Sequence, residues 1–187
     1  MVNNKVLVVV DMQNDFIDGS LGSEEAKAIV PNVVKKIEDW DGSLIVLTLD
    51  THGENYLQTF EGEHLPVEHC IVGTEGVKLH KDVTAAILKK VTAGCTVKTI
   101  RKETFGSYQI ACEIRETPKQ IDIVGLCTDI CVISNALLLK AAFPETEIRV
   151  FEDCCAGTSE SMNDKALDVM RMCHIEVTFD AAIEDNQ

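Results

Sequence analysis

Apolar runs of strand length alternate along this chain with stretches whose apolar residues recur at helical spacing. The first run, Lys5 to Val10, sets Val6, Leu7, Val8, Val9 and Val10 in succession. A run without polar alternation fits a strand covered on both faces. From Glu24 to Trp40 the apolar residues Ala26, Ile29, Val30, Val33, Val34 and Ile37 keep helical spacing, with Ser23 as a candidate N-cap and Asp41-Gly42 as a break. Ser43 to Leu49 reads as a second buried strand. The stretch from Asp50 to about Lys78 is irregular and contains His52, His64 and His69. Loops of that length inside a compact domain are usually functional. Beyond it the pattern predicts a helix over 82–90, a strand over 96–100, a helix over 108–116, a strand over 120–125 and a strongly apolar helix over 129–143. A strand over 147–151, a helix over 160–172 and a strand over 175–179 close the series.

Strands alternating with helices imply an α/β fold, a parallel sheet with helices on both faces. Six strands are expected, in a single domain spanning residues 1–187. Right-handed crossovers put all the strand carboxyl ends on one edge, and ligands bind in the crevice there. Asp11, Asp50, His52, Lys102 and Cys131 all fall at or just after such ends. An acid, an ammonium, a thiol and candidate metal ligands therefore converge on one crevice.

Composition removes several alternatives. No apolar run approaches the roughly 18 residues needed to span a bilayer, and the N-terminus has no signal-peptide pattern. The eight cysteines are scattered, form no CxxC pair and mostly sit in apolar segments. They read as free thiols in a reducing cytoplasm rather than a disulfide or zinc scaffold. A formal net charge of −14 argues against nucleic acid or an anionic membrane as partner.

The segment Gly125-Leu126-Cys127-Thr128-Asp129-Ile130-Cys131-Val132 lies between a strand and a helix. A thiol in the first turn of a helix sees the positive end of the dipole, which lowers its pKa and favours the thiolate. Backbone N–H groups at the same turn can stabilise an oxyanion. Cys127 has nearly the same local claim as Cys131, and Cys154 and Cys155 also follow a strand. Asp11 beside a thiol can take its proton and pass it to a leaving amine. Lys102 can hold Asp11 in place. Asp50, His52 and His69, with Glu61 between them, offer ligands suited to Zn, Mn or Fe(II). Glu63 and His64 compete with Glu61 for the last place.

Five segments carry a family resemblance: Val-Val-Val-Asp-Met-Gln-Asn-Asp-Phe at 8–16, Asp-Thr-His at 50–52, Glu-His-Cys-Ile-Val-Gly-Thr-Glu-Gly at 68–76, Lys-Glu-Thr-Phe-Gly-Ser-Tyr at 102–108 and Gly-Leu-Cys-Thr-Asp-Ile-Cys-Val at 125–132. They are similar, in order and over nearly the whole chain, to the isochorismatase-like cysteine hydrolases, and within these most similar to nicotinamidases. The resemblance implies a three-layer α/β/α fold with a six-stranded parallel sheet. It implies a catalytic triad of Asp11, Lys102 and Cys131, which chooses among the cysteines. It also implies a cis peptide at Leu126–Cys127 and an oxyanion hole made by the backbone N–H groups of Cys127 and Cys131. A divalent metal is implied at Asp50, His52 and His69, with Glu61 as a further ligand. Isochorismatases proper lack this metal set.

The implied reaction is hydrolysis of a small amide, nicotinamide above others, with a role in NAD salvage. Phe16 and Phe105 or Tyr108 are the candidates to flank a pyridine ring. Two departures bear on the substrate: Thr51 replaces the Trp common between Asp and His, and Pro66 stands where many nicotinamidases have an aromatic. Another small amide, a carbamoyl compound or a ureide is the alternative substrate class. A non-catalytic binding member of the fold is a third reading. Family members are often homo-oligomers.

Overall fold

The structure, a computed structural model, describes residues 4–179. Its elements in chain order are β1 (Lys5–Val10), α1 (Asn14–Ile17), α2 (Glu24–Ala28), α3 (Val30–Asp39), β2 (Leu44–Asp50), a 3-10 turn (Tyr56–Gln58) and α4 (Phe60–His64). There follow α5 (Lys81–Thr92), β3 (Thr96–Lys102), α6 (Gln109–Glu113), β4 (Gln120–Leu126), a π turn (Thr128–Val132), α7 (Ile133–Ala142), β5 (Glu147–Ala156), α8 (Glu160–Met172) and β6 (Glu176–Thr178). The strands form one six-stranded sheet in the order β3-β2-β1-β4-β5-β6, and every neighbouring pair is parallel.

Period-two alternation along β1 explains the layers. Leu7 and Val9 pack with Val30, Val33 and Ile37 of α3 and Val83, Ala86 and Ile87 of α5. Val6, Val8 and Val10 face the other way, onto Ala136 and Leu139 of α7 and Leu167 and Met170 of α8. A strand buried on both sides has no place for polar alternation, which is why β1 is an unbroken apolar run. The chain moves outward from β1 through β2 to β3, then returns to place β4 on the other side of β1. The strand order thus reverses between β1 and β4, and the crevice outside a reversal is where open α/β sheets bind ligands.

Several boundaries differ from the sequence expectation. The helix expected over 24–40 is two, α2 and α3, meeting at Ile29. Pro31 in the first turn of α3 supplies no N–H and its ring blocks continuation from the preceding turn. Ser23 does cap α2, accepting from the Ala26 N–H at 3.0 Å. The helix expected over 129–143 starts as the π turn, where the N–H groups of Ile130 and Val132 both reach the Cys127 carbonyl. The 108–116 helix shrinks to α6, and β5 runs on to Ala156, so Cys154 and Cys155 lie inside a strand rather than after it. The long segment after β2 is ordered by the 3-10 turn, by α4 and by single bridges from Gln13 to Leu79 and from His52 to Ile71. Among the described residues no helix is long and apolar enough to cross a membrane.

Candidate active site

Asp11 is the first residue after β1, and its backbone turns into the left-handed region (φ 47°), which Asp tolerates better than most residues. Lys102 ends β3, Asp50 ends β2, and Cys131 lies in the π turn after β4. Three strands and a turn thus deliver these side chains to one point. Lys102 Nζ is 2.6 Å from Asp11 Oδ2 and 3.7 Å from Asp50 Oδ1, and it donates to Cys131 Sγ at 3.6 Å. Asp11 Oδ1 accepts from the Thr48 hydroxyl at 2.6 Å. All of these side chains are buried.

Burial sets the electrostatics here. It pushes the Asp11 carboxyl up; the charge of Lys102 pulls it back, and that of Asp50 adds to the rise. Burial alone would lower the Lys102 ammonium, but the charges of Asp11, Cys131 and Asp50 raise it, so it stays protonated. Cys131 is pushed well above an ordinary thiol by burial and by Asp11, with Lys102 opposing. This corrects the expectation of a lowered thiol pKa: desolvation and a neighbouring carboxylate outweigh a helix terminus. Burial and the Asp11 carboxylate thus favour the protonated thiol over the thiolate. Cys127, whose peptide bond to Leu126 is cis, is also pushed up to about 12 by burial.

Asp50, His52 and His69 form a second group. Each offers one ligand atom, and the three atoms lie within 4.8 Å of one another. Asp50 Oδ2 is 2.8 Å from His52 Nε2 and 3.3 Å from His69 Nε2. His69 Nδ1 donates to the Val67 carbonyl at 2.9 Å, which leaves Nε2 as the nitrogen that faces Asp50 and could hold a metal. Two imidazoles and a carboxylate aimed at one point fit Zn, Mn or Fe(II). Glu61 Oε1 stands beside them, 3.8 Å from His52 Nε2 and 3.6 Å from His69 Nε2. Of its rivals, Glu63 is exposed, and the exposed His64 turns back to the Phe60 carbonyl at 2.8 Å.

Both groups border a cavity of about 340 Å³ lined by Asp50, Glu61, His69, Cys127 and Cys131, with Phe16, Leu65, Phe105 and Ile130 among its apolar walls. Phe16 also leans on the His69 ring, centroids 5.5 Å apart. Tyr108 is not brought to the cavity: it is 72% exposed. Pro66 lines no wall either, and Leu65 occupies that side.

Local sequence reading missed Gln13, Tyr56 and Asn135. Gln13 is fully buried; it accepts from the Asp50 N–H at 2.7 Å and donates to the Asp50 carbonyl at 2.8 Å and the Val77 carbonyl at 2.9 Å. Tyr56 packs edgewise on His69 and tilts over His52. Asn135 donates to the Cys131 carbonyl at 2.8 Å and accepts from the Ser107 N–H at 2.9 Å. The Asp-Met-Gln spacing after β1 was the available signal for Gln13; nothing local marks the other two.

A doubly wound parallel sheet with thiol, acid and ammonium gathered at its reversal point is the make-up of an α/β/α hydrolase. The chain belongs to the isochorismatase family, whose isochorismatase domain matches residues 5–181. It is 27% identical over 186 residues to the nicotinamidase/pyrazinamidase of Mycobacterium tuberculosis, covering 92% of this chain and 97% of the relative. It is 30% identical over 165 residues to the nicotinamidase of Acinetobacter baylyi, covering 72% and 74%. Among solved structures it is similar to nicotinamidase/pyrazinamidase from Bacillus subtilis, with TM-score 0.80, 25% identity and coverage of 94% and 99%. The pyrazinamidase of Pyrococcus horikoshii in complex with zinc matches with TM-score 0.77 and 27% identity, covering 95% and 99%.

Proposed function

We propose that this chain is a metal-assisted cysteine amidohydrolase that converts nicotinamide and water to nicotinate and ammonia. The observation that carries this reading is the reach of Lys102 Nζ to both Asp11 Oδ2 (2.6 Å) and Cys131 Sγ (3.6 Å) at the wall of one cavity. Relatives and structural neighbours named nicotinamidase support the substrate class.

Asp11 takes the Cys131 proton, and the thiolate forms a bond to the carboxamide carbon. Charge moves to the carbonyl oxygen, which the backbone N–H groups of Cys127 and Cys131 receive. Asp11 returns the proton to the nitrogen, the C–N bond breaks and ammonia leaves a thioester on Cys131. Asp11 then takes a proton from water. The hydroxide adds to the thioester carbon, the C–S bond breaks, and the acid departs as the thiolate is reprotonated. Lys102 stays charged throughout and opposes the build-up of negative charge beside Asp11. Asp50, His52 and His69, with Glu61 beside them, would hold the divalent metal, which when bound supplies a Lewis acid to fix the ring nitrogen.

The test is ammonia release from nicotinamide by purified protein, before and after chelation and metal add-back. Metal-dependent release, abolished in Cys131→Ala with the fold intact, is expected. Substantial hydrolysis by Cys131→Ala would sink the assignment of the nucleophile. A second reading, another small amide, a carbamoyl compound or a ureide, is favoured by the absence of an aromatic at Pro66. It would be established by turnover of such a compound where nicotinamide fails, from protein whose Cys131 still alkylates.

A further inference from the structure

A second, larger chamber of about 900 Å³ lies against the reactive cavity. Glu61, Leu65, Phe105 and Ile130 line both, so the two spaces are neighbours across these four side chains. The inner space, near the lower end of ordinary ligand pockets, suits a single-ring carboxamide. The outer one, apart from His52 and Glu61 at its edge, has no part in the reaction above.

We infer that the outer chamber is a substrate subsite and that the enzyme favours carboxamides whose ring carries an apolar extension, an aryl or alkyl group, over the unsubstituted ring. The inference rests on the amidohydrolase reading for the placement of the carboxamide at Cys131. Three observations set the chemistry of the occupant. The chamber's apolar residues are Phe60, Leu65, Phe105 and Ile130. Beyond the residues that would hold the metal, its charged lining is Glu103, with neither lysine nor arginine, which offers no partner to a phosphate or carboxylate tail. Phe60 and Phe105 are 79% and 48% exposed, and both rings border this chamber, so a group placed there would cover apolar surface that water now meets. Adjacency to the Cys131 cavity across Glu61, Leu65, Phe105 and Ile130 favours the substrate itself as the occupant.

An extension lying there is remote from the carboxamide carbon. It makes the same contacts in ground and transition states, so it lowers KM and leaves kcat unchanged. A well-filled apolar subsite is worth about tenfold in affinity.

The experiment uses nicotinamide and pyridine-3-carboxamides bearing a phenyl group at each free ring carbon in turn. Their binding to Cys131→Ala is measured by calorimetry, and their turnover by the wild-type enzyme. The expected result is that one isomer binds about tenfold more tightly than nicotinamide, with a matching fall in KM. In the background of Phe60→Ala, which removes a ring that lines only the outer chamber, the ratio of the two affinities should return to near one. If no phenyl isomer binds more tightly than nicotinamide, or the gain survives Phe60→Ala, the subsite is overturned and the exposed rings await a protein partner instead. A binding gain without turnover of any carboxamide would overturn the amidohydrolase reading and leave the subsite standing.

Discussion

Lys102 has Asp11, Asp50 and Cys131 within 3.7 Å and is buried with them. Two buried carboxylates would raise each other's pKa, and a buried ammonium alone would shed its proton. Together they offset this: the carboxylates raise the Lys102 ammonium, whose charge pulls the Asp11 carboxyl down against burial, while burial holds the thiol up. Gln13 has no reacting partner and acts through position. Its amide holds the N–H and the carbonyl of Asp50 and also the Val77 carbonyl, tying the end of β2 to the loop that carries His69. Gln13→Met keeps the length and removes those bonds. Metal affinity, read by competition with a chromophoric chelator, is expected to fall about 10–100-fold; unchanged affinity would show that the ligands hold their places without it. The sequence pointed to the acid, the ammonium and the ligands because those residue types sit at strand ends. Local sequence could not rank Cys131 above Cys127, a choice that only the family resemblance made, since the contact with Lys102 joins elements distant along the chain.

At the scale of elements, the meeting of β1 and β4 decides whether a crevice forms at all. Gly125 has φ 120°, and a Cβ there would come within 2.1 Å of the Val10 carbonyl oxygen. The obstruction is backbone, so no rotamer relieves it. Gly125→Ala is expected to destabilise the fold by more than about 3 kcal/mol, with loss of activity, as measured by urea unfolding and ammonia release. Ser159→Ala offers a contrast. Ser159 caps α8 by accepting from the Met162 N–H at 3.3 Å and lines neither cavity, and its loss should lower stability by about 1 kcal/mol with activity retained. Strand and helix identities were legible from periodicity. The ends were not, because Pro31 divides one helical pattern into α2 and α3 and the Cys127 carbonyl, accepting two N–H groups, opens the next as a π turn.

For the molecule as a whole, the buried thiols make a prediction about pH. Burial raises Cys70 and Cys131, and pushes Cys127 and Cys155 up to about 12. A thiol whose folded pKa exceeds its unfolded value stabilises the fold fully below the unfolded pKa, near 9.0, and that contribution is lost as pH rises toward the folded value. Stability should therefore fall above pH 9 by roughly 1.4 kcal/mol per pH unit for each such thiol. Urea midpoints at pH 8 and pH 10 test this, and Cys155→Ala should flatten the alkaline fall; an unchanged slope would place the loss elsewhere. The sequence by itself determined the parallel α/β/α architecture, since an unbroken apolar strand such as β1 must be covered on both faces. It also determined which residues reach the sheet's carboxyl edge, since every crossover returns the chain in the same direction. Only the tertiary structure decided which thiol meets Lys102, which carboxylate meets two imidazoles, that Tyr108 points to water and that a second chamber adjoins the first. Those outcomes depend on the strand order β3-β2-β1-β4, which brings residues distant in sequence within hydrogen-bonding range, and on burial, which reverses the shift that a helix terminus alone would give Cys131.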